Sequence, residues 1–573
     1  MLMVKTHPTI TIMLALFIVT FLVYSRVAFF PFSVIDDPDY LYQNTQVLSG
    51  LSFGSLRWAI TAFHAGNWHP LTWLSLMLDA EFFGDNPMGY HLVNAMLHAL
   101  NASLLFLVFH SITGAVWRSL FVAACFALHP LHVESVAWIA ERKDVLSGLF
   151  LMLVLYFYGR YVKESKKSFY LLALASFSVG LTAKAMLVTV PAILIILDIW
   201  PLERLASPFT RQGQACGIGL KALLLEKIPF VVFSVASAVV TQYAQKKSVA
   251  TFTGLPLHDR MANALWSASA YLQKTAMPFD LAVFYPFTPV PFWKAAGSAV
   301  FLSLVSILVI KYRQRTPYLL AGWLWYTITL LPVIGLIQVG RQSMADRYTY
   351  LPLIGIFAAA SWGGADLCAR FPGWIRSIRL VAAGLLIWWT IGTWIQLGYW
   401  RDNRVLLSHA VEVTENNSFA HDCLGNAYDR QNEPDRAAAE YLTSLAIDPN
   451  NALAHYDLAR VLAAQNKLPE AIAQYEEALS IDPGDAEVHF ALGIVLARIG
   501  RTDDAEREFS AAIRIDPGNS IYHNNLGTLY ARYGQLDAAI EQFSLALQAD
   551  PGDSKAGANL ETALRQKSGM GRR

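Results

Sequence analysis

Cysteine is scarce in this chain: Cys125, Cys216, Cys368 and Cys423 are the only four in 573 residues. None forms a CxxC pair and three lie in the more apolar part, which speaks against a disulfide framework or a zinc site. Charge is scarce too, at 15% of residues, where soluble domains have about 25%. No run of Lys and Arg is present, so nothing points to a nucleic-acid partner. What is abundant is apolar surface: 55% of residues are hydrophobic and 13% aromatic, a composition suited to a bilayer. The net charge of +1 hides a division. Residues 1–400 hold 28 Lys and Arg against 17 Asp and Glu, a balance of +11; residues 401–573 hold 16 against 26, a balance of −10. Two domains in different surroundings are expected, 1–400 and 401–573.

The second domain declares itself by a period. Asp-Pro recurs at Asp448-Pro449, Asp482-Pro483, Asp516-Pro517 and Asp550-Pro551, in steps of 34 residues. That is the length of a tetratricopeptide repeat. Leu424, Leu458, Leu492 and Leu526 keep the register, as do Ala437, Ala471, Ala505 and Ala539. Gly425, Gly493 and Gly527 follow the leucines, with Ala459 in the second repeat. The aromatic residues Tyr441, Tyr475, Phe509 and Phe543 complete the pattern. Repeats are therefore expected near 418–451, 452–485, 486–519 and 520–553, with a capping helix at 554–567. Such an array suits the binding of a protein or peptide. His421, His455, His489 and His523 also recur at this spacing; a metal ladder is conceivable, but a slot for a bulky first-helix side chain is the simpler reading.

In the first domain, apolar runs predict about eleven spans: Thr9–Tyr24, Gly89–His110, Ser119–His129, Val145–Tyr158, Phe169–Leu181, Met186–Ile199, Ile228–Tyr243, Ala295–Ile310, Tyr318–Ile337, Tyr348–Leu367 and Leu380–Leu397. No small-residue cleavage site follows the first, which reads as an uncleaved span. With the N-terminus inside, the inner segments cover about 70 residues and hold 16 Lys and Arg, and the outer segments cover about 143 and hold 12. The positive-inside rule then puts the N-terminus in the cytoplasm. An odd number of spans puts the repeats outside, in the periplasm if the membrane is a bacterial inner membrane.

Outer segments normally avoid cations. Arg142, Lys143, Lys184, Arg341 and Arg347 nonetheless sit close to outer span ends, where together they suit a lipid-linked phosphate. Asp36 and Asp37 follow the first span almost directly. One of them is a candidate general base. Asp37 is favoured because Pro38 restricts it to extended conformations. Glu134, within His129-Pro130-Leu131-His132-Val133-Glu134, and Asp144 are further candidates among the short connections. His91 and His98 share a helix face. A divalent metal held there with an acid is less favoured than polar packing between helices, and no metal site is assigned.

The order of these pieces resembles a known family. After the acidic pair come Trp68-His69-Pro70-Leu71-Thr72-Trp73, Gly89-Tyr90-His91-Leu92-Val93-Asn94, His129-Pro130-Leu131-His132-Val133-Glu134, Leu181-Thr182-Ala183-Lys184 and Asp346-Arg347-Tyr348-Thr349-Tyr350. The repeats finish the series. The whole is similar to the transmembrane and tetratricopeptide-repeat O-mannosyltransferases and their bacterial relatives, in the GT-C class of glycosyltransferases. That resemblance implies an all-α fold: a GT-C-like helical membrane domain followed by a repeat solenoid. It implies transfer of a sugar, mannose in the family, from a polyprenyl-phosphate donor to a protein hydroxyl, with inversion. Carried over, Asp37 or Asp36 is the base, Arg142, Lys184 and Arg347 bind the donor phosphate, and Glu134 orients the acceptor or a cation. His91, His132, Asp144 and Arg341 stand behind them. Ala185-Met186 follows Lys184 where the animal enzymes carry an acid, so its local pairing differs. The competing class is a non-catalytic membrane-anchored repeat scaffold; a third reading is a GT-C enzyme acting on a glycan or lipid.

Overall fold

A computed structural model of the chain describes residues 8–204, 219–245, 255–336, 340 and 342–570; Cys216 and Arg341 lie outside the described residues. The protein packs as two compact units, Met1–Glu415 and Asn416–Arg573. It is helical almost throughout. Among the described residues the strands are one short antiparallel pair, Tyr285–Pro286 with Gln342–Met344.

In the first unit, six helices are long and apolar enough to cross a membrane: Pro8–Phe29, Pro87–Thr113, Ile139–Glu164, Leu220–Ala244, Phe292–Tyr312 and Pro372–Tyr399. A seventh candidate is a pair, Val116–Leu128 and Pro130–Ala137, bent by 56°. The remaining apolar runs of the sequence fall on the shorter helices Lys167–Leu181, Ala185–Ile199, Pro317–Leu330 and Leu353–Arg370. Such helices fall short of the roughly 20 residues that a span ordinarily needs. Two of them compensate by close packing: a Cβ on Gly322 would lie 2.3 Å from the carbonyl oxygen of Gly355, so these backbones touch. The amphipathic helix Leu257–Ala276 has no counterpart among the apolar runs; its inner face buries Asn263, Ser267, Tyr271 and Thr275.

The bend at Pro130 has a local cause. Proline supplies no backbone N–H, and His129 caps the new turn by accepting from the Leu131 amide at 3.2 Å. From His129 to Gly148 every residue is buried. Non-helical backbone at membrane depth is tolerated only inside protein, and this segment meets that condition. It also carries His129, His132, Glu134, Glu141, Arg142, Lys143 and Asp144, so the burial concentrates charge.

The helix Asn403–Val413 packs within the first unit. Asn403 accepts from the Val34 amide at 3.1 Å and donates to the Phe32 carbonyl at 3.0 Å. The last long helix therefore ends beside the loop that follows the first.

The second unit is the repeat array. Its helix pairs are Ser418–Arg430 with Pro434–Ile447, Ala452–Ala464 with Leu468–Ile481, Ala486–Arg498 with Thr502–Ile515, and Ser520–Arg532 with Leu536–Ala549. Ser554–Met570 closes the array. Each first helix is capped by an Asn or Asp: Asn417 in the first repeat, then Asn451, Asp485 and Asn519, which close Asp-Pro turns. In the first, third and fourth repeats the aromatic ring of the second helix lies where a side chain on the paired glycine would be; the second repeat holds Ala459 there. A Cβ on Gly425 would come within 2.5 Å of Tyr441, and one on Gly493 or Gly527 within 2.8 Å of Phe509 or Phe543. The histidine series is a helix-to-helix clasp. His421, His455, His489 and His523 each place Nδ1 2.6–2.8 Å from Glu440, Gln474, Glu508 and Gln542, nineteen residues on.

Candidate active site

The loop after the first helix is fixed from below. Asp37 is fully buried, and both its oxygens accept backbone N–H groups: Ser33 at 2.7 Å and Ala140 at 3.1 Å. Trp138 Nε1 donates to the Ile35 carbonyl at 3.1 Å. These bonds tie residues 33–37 to the segment carrying Glu141 and Lys143. The expectation of an extended Asp37 is corrected: it adopts φ −60° and ψ −28°, helical values, and precedes the turn Pro38–Tyr42 without a side-chain capping bond to it. Burial pushes its carboxyl up to about 8, against the two amides that favour the ionised form. Its two oxygens are thus both engaged by backbone amides, and its surface is hidden. Asp36 is its opposite. It is exposed, and its left-handed φ of 57° turns it away from its neighbour. The surrounding protein strips some of its hydration and raises its carboxyl above the usual range, while the cations of Lys143 and Arg347 pull it down.

Those cations belong to a cluster drawn from three separated segments. Glu141 sits at its centre, ion-paired with Lys143 at 3.2 Å, Lys184 at 3.5 Å and Arg347 at 3.1 Å. Lys184 also pairs with Asp144, which accepts from Ser135 Oγ at 3.0 Å. Arg347 pairs with Glu134 through its guanidinium, and its backbone amide donates to Glu134 at 2.8 Å. Aromatic faces back the cations. The Lys143 ammonium lies 4.8 Å from the Tyr40 ring centre, and the Arg347 guanidinium 5.2 Å from that of Trp138. The carboxylates are almost wholly buried, at 2–4% side-chain exposure, whereas the three cations keep 10–13%. The positive groups thus form the less buried lip of the cluster and the acids its floor.

Lys184, Arg347, Glu134 and Asp144 are brought together as anticipated positions of one cluster; Arg142 is not. Its side chain is fully buried and committed to Asn94, to Ser75 at 2.8 Å, to Asp79 at 2.6 Å and to the Tyr90 carbonyl at 2.9 Å. Lys143, one residue on, holds the place expected of Arg142. His91 stands near the Pro31 carbonyl at 3.3 Å. His132 donates from Nδ1 to the Phe126 carbonyl, 2.7 Å away, among Phe126, His98 and Tyr350. Both histidines are packed in the helix bundle beside the cluster. Among the described residues, no three His, Cys, Asp or Glu side chains are arranged to hold a metal ion. Glu141 is the residue that sequence reasoning missed. Its signal is the run Glu141-Arg142-Lys143-Asp144, four charges between Ala140 and Val145.

Fold and site together define a multi-pass helical membrane protein that encloses a cation-lipped charged cluster and carries a tetratricopeptide-repeat array. Residues 69–218 match the family described as dolichyl-phosphate-mannose-protein mannosyltransferase, and tetratricopeptide-repeat families match across 418–554. The protein O-mannosyl-transferase Tmtc1 of Drosophila melanogaster is 31% identical over 154 residues, covering 27% of this chain and 18% of that one. The protein O-mannosyl-transferase TMTC4 of Mus musculus is 23% identical over 469 residues, covering 71% of this chain and 62% of that one. The matched region spans less than two thirds of each of these relatives. Among solved structures, the crystal structure of MamA aligns at 23% identity over 27% of this chain and 90% of that chain, with a TM-score of 0.26. The similarity carried by the sequence motifs, to the transmembrane and tetratricopeptide-repeat O-mannosyltransferases, is the similarity that these comparisons find.

Proposed function

We propose that this protein is a GT-C-type glycosyltransferase that moves a sugar, mannose by family resemblance, from a polyprenyl-phosphate donor to a hydroxyl on a protein acceptor. One observation carries the reading: Lys143, Lys184 and Arg347, from three separate segments, converge on Glu141, and Lys143 and Arg347 lie close enough to the exposed Asp36 to act on its charge. The acceptor oxygen attacks the anomeric carbon from the face opposite the phosphate, and its proton passes to Asp36. The bond from carbon to phosphate oxygen breaks, and its electron pair leaves with the phosphate. Negative charge grows on that phosphate as the bond lengthens, so fixed cations stabilise the transition state more than the ground state. Asp37 supports the base by holding its loop against residues 138–140. The repeats recruit the acceptor and raise its effective concentration.

Loop charge supports a cytoplasmic N-terminus. The end of the last long helix beside the Asp36 loop supports repeats that face the same compartment as the site. For a bacterial inner membrane that compartment is the periplasm.

The test uses full-length protein in nanodiscs with radiolabelled polyprenyl-phosphate mannose and a mixture of envelope proteins as acceptors. Label is expected on protein with the wild type, and a loss of about 10²–10⁴-fold with Asp36→Asn, the usual contribution of a general base. Equal transfer by Asp36→Asn would remove the base. Label on lipid or glycan alone would change the acceptor class, and no transfer with any donor would favour the scaffold.

A further inference from the structure

Glu141 has no part in the transfer just described, yet it is the one carboxylate among the described residues that ion-pairs with all three cations of the lip. Glu134 neutralises Arg347 and Asp144 neutralises Lys184, whereas Glu141 is shared among Lys143, Lys184 and Arg347 at 3.1–3.5 Å. A monoanion ringed by cations from three segments is held much as a phosphate would be. Its backbone sits at the junction between the turn Ile139–Glu141 and the helix that starts at Arg142, while its side chain has three rotatable bonds to swing on.

Resting on the proposed phosphate site, we propose that Glu141 is a built-in competitor for the lipid phosphate, surrendering the three cations when phosphate enters and reclaiming them to expel the product. The chemistry makes the competition unequal. A polyprenyl-phosphate sugar is a phosphodiester with one negative charge. The polyprenyl phosphate left after transfer is a monoester carrying about −1.5 to −2 near neutral pH. A cation cluster without a resident anion would hold the product more tightly than the donor and stall after one turnover. A carboxylate that binds the same cations lowers both affinities and lowers that of the more charged ligand most, because its repulsion scales with the ligand's charge.

The experiment measures equilibrium binding of polyprenyl monophosphate to the full-length protein in nanodiscs, together with steady-state transfer. Glu141→Gln is expected to tighten product binding on the order of tenfold, by removing a like charge at close range. KM for the donor should fall less, and kcat should fall as product release slows. Glu141→Asp keeps the charge but shortens its reach, and should lie between the two. It decides the question if Glu141→Gln does not fold. Weaker or unchanged product binding in the variant that folds would overturn the inference, because Glu141 would then only space the cations. Absence of polyprenyl phosphate binding to wild type and variants alike would overturn the phosphate site itself. Loss of binding in Lys184→Ala, with wild-type binding intact, would show that the site stands even where the competitor role fails.

Discussion

Adjacent residues with the same chemistry can have different tasks, and this site contains two such pairs. Asp36 and Asp37 differ by a single left-handed φ, which exposes one carboxylate and buries the other. Arg142 and Lys143 open one helix, where successive side chains point about 100° apart. One therefore turns inward to Asp79 and the other faces Glu141. The proposed base gives a pH prediction whose sign can be worked out. Asp36 must be ionised to take a proton, and its carboxyl lies above the ordinary value of 3.8, so kcat/KM should rise with pH through a limb above that value. Lys143 favours the ionised form. Lys143→Gln should therefore move the limb to higher pH in the activity that remains, in addition to weakening donor use. A pH–rate profile of both proteins checks this, and a limb that stays or moves down would detach Asp36 from catalysis. The sequence showed that an acidic pair and a set of cations matter here. It did not show which acid is exposed or which cation joins the cluster, because that depends on a backbone twist and a helix phase set by tertiary contacts.

At the scale of elements, the period of 34 and the apolar runs were legible because each reflects a local rule repeated along the chain: a capped turn, a glycine under a ring, a stretch too apolar for water. The segment 129–148 was harder to read. It has the composition of two short connections around a span end, but it is folded inside the protein, where His129, Pro130 and Trp138 break and redirect the helix. The helix Leu257–Ala276 escaped for the opposite reason, since its amphipathic pattern lacks a long apolar run. Arg142 is the anchor of the buried segment, joining it to the helices Pro70–Phe83 and Pro87–Thr113 through Asp79, Ser75, Asn94 and Tyr90. Arg142→Met should leave the Asp79 charge buried without a partner and destabilise the unit by about 3–5 kcal/mol. Adding Asp79→Asn should restore part of the loss, since the stranded charge is gone. Melting temperatures of the three proteins in one detergent decide it. Unchanged stability with weakened phosphate binding would return Arg142 to the donor site.

Over the whole molecule, charge divides close to where the architecture does, at residue 401 against a boundary between Glu415 and Asn416. The membrane unit is basic, and with its N-terminus inside its cations would gather in short inner segments, while the remainder of the chain from residue 401 carries 26 acids against 16 bases. Long domains cross membranes largely regardless of charge, so the acidity of this remainder does not itself set its side. Two independent observations therefore bear on which way the chain runs. One is the inner-segment bias. The other is the path of the chain at the site: Asn403, just beyond the last long helix, is bonded to Phe32 and Val34 in the loop beside Asp36. If the donor site opens outward, the repeats begin on the outer side. Gly552 lies in an exposed turn of the repeat array, and its backbone needs no unusual conformation, so a cysteine is tolerated there. In spheroplasts, Gly552→Cys should react with a membrane-impermeant thiol reagent before lysis, and the parent protein, whose Cys423 is buried in the array, should not. Labelling of Gly552→Cys only after lysis would place the repeats in the cytoplasm. By the bond from Asn403 to the first loop, the charged cluster would then open there too, and a donor presented on the outer leaflet would be out of reach.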